Sequence, residues 1–304
     1  MDIVLLLAGI ALAAVGGEYF VRGSVGLARW LRIPPGIVGA TIAAFATSSP
    51  ETSVAVLASL GGEPELALGD AAGSNLVNLG VVLGLTVIAT PIVVGTADVR
   101  RELPVGIAAI GLLWVFAGEG TFTRIESAVF LSMFIAWMVW VVRDARRERA
   151  AVEALQNAPR RRVFTELAAG LLLLIIAGRL VVVAAKGFGE WLGWSEFVVG
   201  SLLVAAGTST PEFVTAMVAA RRGHAEVGVG AVMGSNVFNT LFVVGIAGLI
   251  HPITGEVEGL SLAVALGIIG TLLVVPGRDG RLGRLRGALL VAVYVAYVAG
   301  VLSM

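Results

Sequence analysis

The chain has 304 residues, of which 58% are hydrophobic and only 14% are charged. Its mean hydropathy of +0.95 is typical of a polytopic membrane protein and excludes an ordinary soluble domain. The formal net charge is zero, which provides no basic surface for nucleic acid, and there is no cysteine. Disulfides, thiol catalysis and thiolate metal sites are therefore excluded.

Apolar segments separated by charged or turn-forming residues predict ten membrane-spanning helices. A bilayer core about 30 Å thick needs roughly 20 apolar residues per helix. The first segment has an acidic start and is longer than a signal-peptide core, so we interpret it as a retained span. The ten predicted spans cover approximately residues 3–28, 36–60, 66–90, 103–118, 125–142, 164–188, 195–220, 225–250, 257–275 and 285–303.

The distribution of arginine predicts the orientation in the membrane. Residues 143–162 contain seven arginines and three acidic residues, which is typical of a cytoplasmic loop. With this loop inside, the alternate loops place 17 of the 21 basic residues on the cytoplasmic side. Both termini are then expected outside, in a protein integral to the cell membrane.

Two short motifs occur twice, in the same order and at the same spacing. Residues 46–51 read ATSSPE and residues 207–212 read GTSTPE, while residues 73–78 read GSNLVN and residues 234–239 read GSNVFN. Each matched pair differs by 161 positions, as for 212 and 51. The chain is thus predicted to contain two five-helix repeats, residues 1–142 and 163–304, joined by the basic loop 143–162. An odd number of spans per repeat inverts the second copy, an architecture of many secondary transporters.

The first motif predicts a break in the second and seventh spans. Proline lacks a backbone N–H, and its ring clashes with the carbonyl group four residues earlier. Pro50 and Pro211 therefore leave the carbonyls of Ala46 and Gly207 without their usual backbone partners. Such backbone at membrane depth is tolerated where it lines a cavity or is buried in protein, and a hard cation could bind there.

The side chains around these breaks predict a cation site made only of oxygen ligands. In the first copy Thr47 and Glu51 lie four residues apart, as do Ser74 and Asn78, so each pair shares a helix face. Oxygen ligands favour hard ions such as Ca²⁺, Na⁺ or Mg²⁺. A charged side chain at mid-membrane costs about 2.5–3.5 kcal/mol on insertion scales. Two glutamates, one from each copy, would together balance one Ca²⁺ or two Na⁺.

The paired PE and GSN motifs resemble the two alpha-repeats of the cation/Ca²⁺ antiporter superfamily, most closely its microbial sodium/calcium exchangers. This resemblance covers nearly the whole chain. It implies that the second, third, seventh and eighth predicted spans form the ion-binding core. The first and sixth spans, approximately residues 3–28 and 164–188, would slide across it. Asn239 departs from many relatives, which have aspartate there. The ion ligands implied by the resemblance are Glu51, Glu212, Thr47, Thr208, Ser48, Ser209, Ser74, Ser235, Asn78, Asn239, Ala44 and Ala205, the two alanines through their carbonyls.

Several functions fit these residues. The main prediction is antiport of Ca²⁺ against Na⁺ by alternating access, with no cofactor and no protein partner besides the lipid bilayer and the ions. The alternative is a Ca²⁺/H⁺ antiporter in which the same glutamates accept protons. A cation channel is a further possibility. An intramembrane hydrolase is disfavoured, because neither Ser48 nor Ser209 has a histidine or lysine base within its span.

Overall fold

The computed structural model describes residues 2–94, 99–118, 120–148, 159–192, 196–254, 259–277 and 280–303. These residues are almost entirely helical, in agreement with the predicted all-α class. The helices are α1 (Asp2–Leu31), α2 (Pro35–Thr47), α3 (Ser49–Gly61), α4 (Pro64–Ala89), α5 (Glu102–Gly118), α6 (Arg124–Glu148), α7 (Arg160–Leu192), α8 (Val199–Thr208), α9 (Thr210–Arg221), α10 (Ala225–Ile250), α11 (Leu260–Leu273) and α12 (Arg284–Leu302).

The described helices differ in their capacity to cross a bilayer. By length and composition, α4, α6, α10 and α12 are long and apolar enough, and α8 with α9 would form a fifth span that bends by 44°. Helices α2, α5 and α11 are apolar but shorter. The total of ten crossings stays a prediction. The predicted loop 143–162 begins inside α6 and ends inside α7, and its residues 149–158 lie outside the described part of the chain.

A single serine separates the two helices of each broken pair. Ser48 lies between α2 and α3 with φ −83° and ψ 13°, and Ser209 lies between α8 and α9 with φ −78° and ψ 5°. Pro50 then falls in the first turn of α3, where a missing N–H is tolerated. The hydroxyl of Ser49 donates to the Ala46 carbonyl at 2.6 Å. This carbonyl, predicted to lack a partner, is therefore already hydrogen-bonded.

Four helices contain a π-helical turn, which the sequence analysis did not predict. The turns are Gly39–Ala43 in α2, Asn78–Leu83 in α4, Val199–Val204 in α8 and Asn239–Val243 in α10. They occupy corresponding positions in the two halves of the sequence. A π turn widens a helix locally and is frequent at functional sites. Two of these turns begin at asparagines of the GSN motifs.

Glycines allow the helices to pack closely. A Cβ atom on Gly73 of α4 would overlap the carbonyl oxygen of Ser201 in α8, and one on Gly234 of α10 would overlap that of Ala40 in α2. Between α1 and α7, a Cβ atom on Gly23 would lie 2.5 Å from the backbone nitrogen of Leu167. Small residues of this kind let helix backbones approach each other in lipid.

Contacts at the helix ends join the two halves of the chain. Strand β1 (Ile92–Val93) pairs antiparallel with β4 (Arg281–Leu282), and β2 (Thr121–Phe122) pairs with β3 (Ile253–Thr254). Arg124 at the start of α6 donates to the Leu249 carbonyl of α10 at 3.1 Å. In the same way Arg284 of α12 donates to the Ile88 carbonyl of α4 at 3.1 Å. Each arginine thus satisfies a carbonyl that a helix end leaves unpaired.

Candidate cation-binding site

The predicted site residues lie on the helices that contain the serine breaks and the π turns. All of them are at most 1% exposed to solvent. In the segment from α2 to α4, including the break at Ser48, they are Ala44, Thr47, Ser48, Glu51, Ser74 and Asn78. In the segment from α8 to α10, including the break at Ser209, they are Ala205, Thr208, Ser209, Glu212, Ser235 and Asn239.

Glu212 accepts hydrogen bonds from hydroxyls on two other helical segments. Ser48 Oγ, at the break between α2 and α3, donates to Glu212 Oε1 at 3.3 Å. Ser235 Oγ of α10 donates to the same oxygen at 3.2 Å. Thr47 also lies near this carboxyl group, but its hydroxyl donates to the Ala43 carbonyl at 3.0 Å. Both halves of the chain therefore contribute to the surroundings of Glu212.

Glu51 is buried without comparable hydrogen bonds. Neither of its carboxyl oxygens has a hydrogen-bond partner within the described residues. The carboxyl groups of Glu212 and Asp70 lie close enough to interact with it electrostatically, and the Thr208 side chain lies near it. An isolated buried carboxylate is very unfavourable unless it is paired or neutralised. Glu51 therefore requires a bound cation or a proton.

Asp70 is an acidic residue of this site that the sequence analysis missed. It lies on α4, one turn before Ser74, and is fully buried. Its Oδ1 accepts a hydrogen bond from Thr208 Oγ1 at 3.1 Å and lies 3.5 Å from Ser74 Oγ. The spacing of four residues between Asp70 and Ser74 was the available signal. It was overlooked because Asp70 has no counterpart in the second copy of the motif.

A set of amides connects α4 with α10 and includes two asparagines, Asn75 and Asn236, that are not among the predicted ligands. Asn78 Nδ2 donates to Asn236 Oδ1 at 3.0 Å, and Asn236 Nδ2 donates to the Asn75 carbonyl at 3.2 Å. Asn75 Nδ2 donates to Thr240 Oγ1 at 2.8 Å. The first asparagine of each GSN motif, Asn75 or Asn236, therefore joins the two helices. Its presence in both copies was the signal that could have identified it.

The remaining predicted ligands are the Asn239 side chain and two backbone carbonyls. Asn239 is buried, and its side-chain oxygen and nitrogen have no partner in the described part of the chain. The Ala44 carbonyl accepts from the backbone N–H of Ser48 at 2.9 Å, and the Ala205 carbonyl accepts from that of Ser209 at 3.0 Å. Each carbonyl also accepts from a threonine hydroxyl, the Ala44 carbonyl from Thr47 at 3.4 Å and the Ala205 carbonyl from Thr208 at 3.3 Å. An ion bound at either alanine would have to replace one of these contacts, because a carbonyl oxygen has two lone pairs.

The chemistry of these groups suits hard cations. The site offers carboxyl, hydroxyl, amide and carbonyl oxygens, which bind alkali and alkaline-earth ions in preference to softer metals. Among the described residues, no three histidine or acidic side chains converge closely enough to hold one metal ion. Hydroxyl, amide and carbonyl oxygens would therefore have to complete any coordination shell around Glu51 or Glu212.

Known proteins resemble the chain over nearly its whole length. The inner membrane protein YrbG of Escherichia coli is 33% identical over 315 residues, which cover 97% of this chain and 95% of YrbG. The sodium/calcium exchanger MaX1 of Methanosarcina acetivorans is 25% identical over 342 residues, covering 98% and 97% of the two chains. A solved structure of the sodium-calcium exchanger NCX_Mj, soaked with 100 mM Na⁺ and 10 mM Sr²⁺, is 29% identical and gives a TM-score of 0.82 over 98% of this chain and 97% of that one.

The family assignment rests on both halves of the sequence. The profile of the family described as sodium/calcium exchanger protein matches residues 1–143 and 163–303. It therefore includes both broken helix pairs and both GSN motifs. The resemblance predicted from these motifs is confirmed, and with it antiport of cations against Ca²⁺ as the class of activity. The chain belongs to the sodium/calcium exchanger family of integral membrane antiporters.

Proposed function

We propose that this antiporter exchanges Ca²⁺ for Na⁺ and that Glu51 and Glu212 are its central ion ligands. The observation that carries the proposal is the pair of fully buried glutamates, one from each broken helix, close enough to interact. The names of MaX1 and NCX_Mj, which describe sodium/calcium exchange, support sodium as the counter-ion.

The two carboxylates give a reason for coupling. Ca²⁺ or two Na⁺ would neutralise Glu51 and Glu212 equally, so the two kinds of ion compete for the same ligands. Without a cation, two negative charges would face each other in a poorly hydrated site, which is strongly unfavourable. An empty carrier would therefore cross between its two states much more slowly than a loaded one. Because the empty carrier crosses slowly, an ion released on one side has to be replaced there by the competing ion before the carrier returns. The result is exchange of the two kinds of ion.

The proposed architecture follows the sequence repeat. We place ten spans in two inverted repeats, residues 1–142 and 163–304, with residues 143–162 in the cytoplasm and both termini outside. Helices α1 and α7, which pack together at Gly23, are the elements that move. Helices α2–α4 and α8–α10 hold the ions. Alternating access then consists of the movement of one helix pair past a fixed site, as in other transporters with inverted repeats.

The first test is uptake of ⁴⁵Ca²⁺ into liposomes that contain the purified protein. Uptake should require Na⁺ inside the liposomes and should disappear when K⁺ or choline replaces it, with the pH gradient collapsed by an ionophore. Glu51→Gln and Glu212→Gln should each reduce uptake by at least about 100-fold, because a buried charged ligand contributes roughly 3 kcal/mol or more.

The matched control is Glu65→Gln, which removes an acidic side chain from the first turn of α4. It should transport at the rate of the unmodified protein. Uptake that ignores Na⁺ and follows an imposed pH gradient would instead establish Ca²⁺/H⁺ antiport. Normal rates in either central glutamine variant would show that the ligands have been assigned wrongly.

A further inference from the structure

An ion pair outside the cation site connects α1 with the end of α9. The carboxylate of Glu18, on α1, accepts two hydrogen bonds from the guanidinium group of Arg222, which directly follows the last residue of α9. The distance from Arg222 Nε to Glu18 Oε2 is 2.8 Å, and Arg222 Nη2 contacts Glu18 Oε1. Arg22, one turn later on α1, also contacts Glu18 Oε1 at 2.6 Å. Arg222 therefore bridges two helices, whereas Arg22 binds Glu18 within one helix.

Apolar contacts close the interface between α1 and α9 beside this ion pair. Val21 of α1 packs in one buried cluster with Ala219 of α9. A Cβ atom on Gly17 of α1 would lie 2.3 Å from a γ carbon of Val214. Val214 is only two residues beyond Glu212. The contact with α1 therefore covers α9 from a position next to the central glutamate as far as the ion pair.

The other half of the sequence repeat cannot form this ion pair. With the shift of 161 positions, Glu18 corresponds to Arg179 of α7, and Arg222 corresponds to Gly61 at the end of α3. Arg179 is exposed, and a glycine offers no side chain to pair with it. No atom of another described part of the chain lies within 4 Å of a Cβ position on Gly61. In the proposed inverted architecture these equivalent positions lie at opposite ends of the molecule, so only one end carries the bridge.

The ion pair crosses the boundary at which movement is proposed. Glu18 belongs to α1, one of the two helices that move, and Arg222 belongs to the helices that hold the ions. Two parallel bonds between a guanidinium group and a carboxylate have a fixed geometry, which tolerates little sliding of one helix along the other. The side chains of Glu18 and Arg222 are 28% and 44% exposed, so solvent screens their attraction. Such a pair shifts an equilibrium between two states by a few-fold and does not prevent the movement.

We propose that the Glu18–Arg222 ion pair stabilises the carrier in the state that is closed at this end. This inference rests on the movement of α1 in the proposed function. Because the opposite end has no equivalent pair, the two states of the carrier become unequal in free energy. Ions that arrive at this end bind only to the fraction of molecules that is open there, so the ion pair lowers their apparent affinity. The pair thereby contributes to a difference in ion affinity between the two faces of the membrane.

The test uses a single reporter thiol, since the chain contains no cysteine. Ala219→Cys places this thiol in the buried cluster under α1, where the alanine is 0% exposed. A small water-soluble methanethiosulfonate should then react only while α1 is displaced from α9. The labelling rate of the purified protein is measured by mass spectrometry in the reporter alone and in combination with Glu18→Gln, Arg222→Gln or Arg22→Gln.

Glu18→Gln and Arg222→Gln should each accelerate labelling by about threefold to fivefold, the upper range for a partly exposed ion pair. The variant that combines both changes should label no faster than either one, because the two changes remove the same interaction. Arg222→Lys keeps the charge but loses the two-bond geometry, so its rate should be intermediate. Arg22→Gln is the matched control. It removes the other cation bound to Glu18 but leaves the bridge between the helices, and labelling should not accelerate.

Three results would overturn the proposal. They are equal labelling rates in all variants, an acceleration in Arg22→Gln as large as in Arg222→Gln, and additive effects in the variant that combines Glu18→Gln with Arg222→Gln. Labelling does not depend on which ions are exchanged, so it is separable from the proposed function. If Na⁺-dependent Ca²⁺ flux is absent but the labelling rates differ as expected, the proposed function fails and the ion pair keeps its role. If the flux is present and the labelling rates are equal, the role of the ion pair fails alone.

Discussion

Gly73 lies where α4 and α8 approach each other closely. Its α carbon faces the backbone of Ser201 in α8, and a Cβ atom would overlap that carbonyl oxygen. Because both partners are backbone atoms, the helices rather than a flexible side chain would have to move. The next residue is Ser74, so such a movement would also displace a proposed ligand.

We therefore expect Gly73→Ala to lower the stability of the protein by about 1–3 kcal/mol, the usual cost of overpacking. The measurement is the apparent melting temperature of the purified protein in detergent. Gly111→Ala in α5 is the control, because its added Cβ would have no atom of another described part of the chain within 4 Å and alanine favours a helix over glycine by about 1 kcal/mol. An equal melting temperature for Gly73→Ala and the unmodified protein would contradict the close contact.

Single residues show what the sequence could and could not predict about the site. The repeated spacing placed Glu51 and Glu212 on corresponding helices, and the structure brings the two side chains close together. It could not identify Asp70, because comparing two copies of a motif discards every residue that occurs in only one. It also could not show that Asn236 contacts Asn78, since that contact depends on how α4 and α10 are aligned.

At the scale of helices, two arginines cap the ends of distant helices. Arg124 of α6 donates to the carbonyls of Leu249 and Ile250 at 3.1 and 3.2 Å, and Arg284 of α12 donates to that of Ile88 at 3.1 Å. These carbonyls lie at the ends of α10 and α4, where helical hydrogen bonds run out. Cations near a helix C-terminus also interact favourably with the helix dipole.

We expect Arg124→Ala to increase fraying at the end of α10 and Arg284→Ala to increase it at the end of α4. An exposed cap of this kind contributes about 1 kcal/mol, so amide hydrogen exchange should accelerate roughly fivefold in the last turn of the affected helix. Mass spectrometry of peptic peptides measures this change. Each variant is the control for the other, and faster exchange at both ends in either one would contradict the separate contacts.

The helices and the breaks at Ser48 and Ser209 were largely predictable, whereas the π turns were not. Apolar segments bounded by charged or turn-forming residues placed the helices to within a few residues, with α6 extending past residue 142 to Glu148. Proline indicated where α2 and α8 end, but it did not reveal that the Ser49 hydroxyl satisfies the Ala46 carbonyl. The π turns have no sequence signal of this kind, because they arise from packing against neighbouring helices.

For the whole molecule, the predicted orientation can be tested directly because the chain contains no cysteine. Arg147→Cys and Ser303→Cys each introduce one exposed thiol. In intact cells a membrane-impermeant maleimide should label position 303 and should reach position 147 only after permeabilisation. The physical reason is the excess of arginine in residues 143–162, which we expect to hold this segment in the cytoplasm. Labelling of position 147 in intact cells would reverse the proposed topology.

The crossed arginine caps also affect the order in which the protein reaches its final form. The Ile88 carbonyl can be hydrogen-bonded only after Arg284, 196 residues later in the chain, has been synthesised. In the same way Arg124 can donate only after Leu249, 125 residues later, has been synthesised. At a translation rate of about 5–20 residues per second, the first of these intervals lasts roughly 10–40 s. During this time the first half is already in the bilayer with the end of α4 uncapped. Its maturation is therefore tied to completion of the second half, and a ribosome that stalls before residue 284 leaves both halves unfinished.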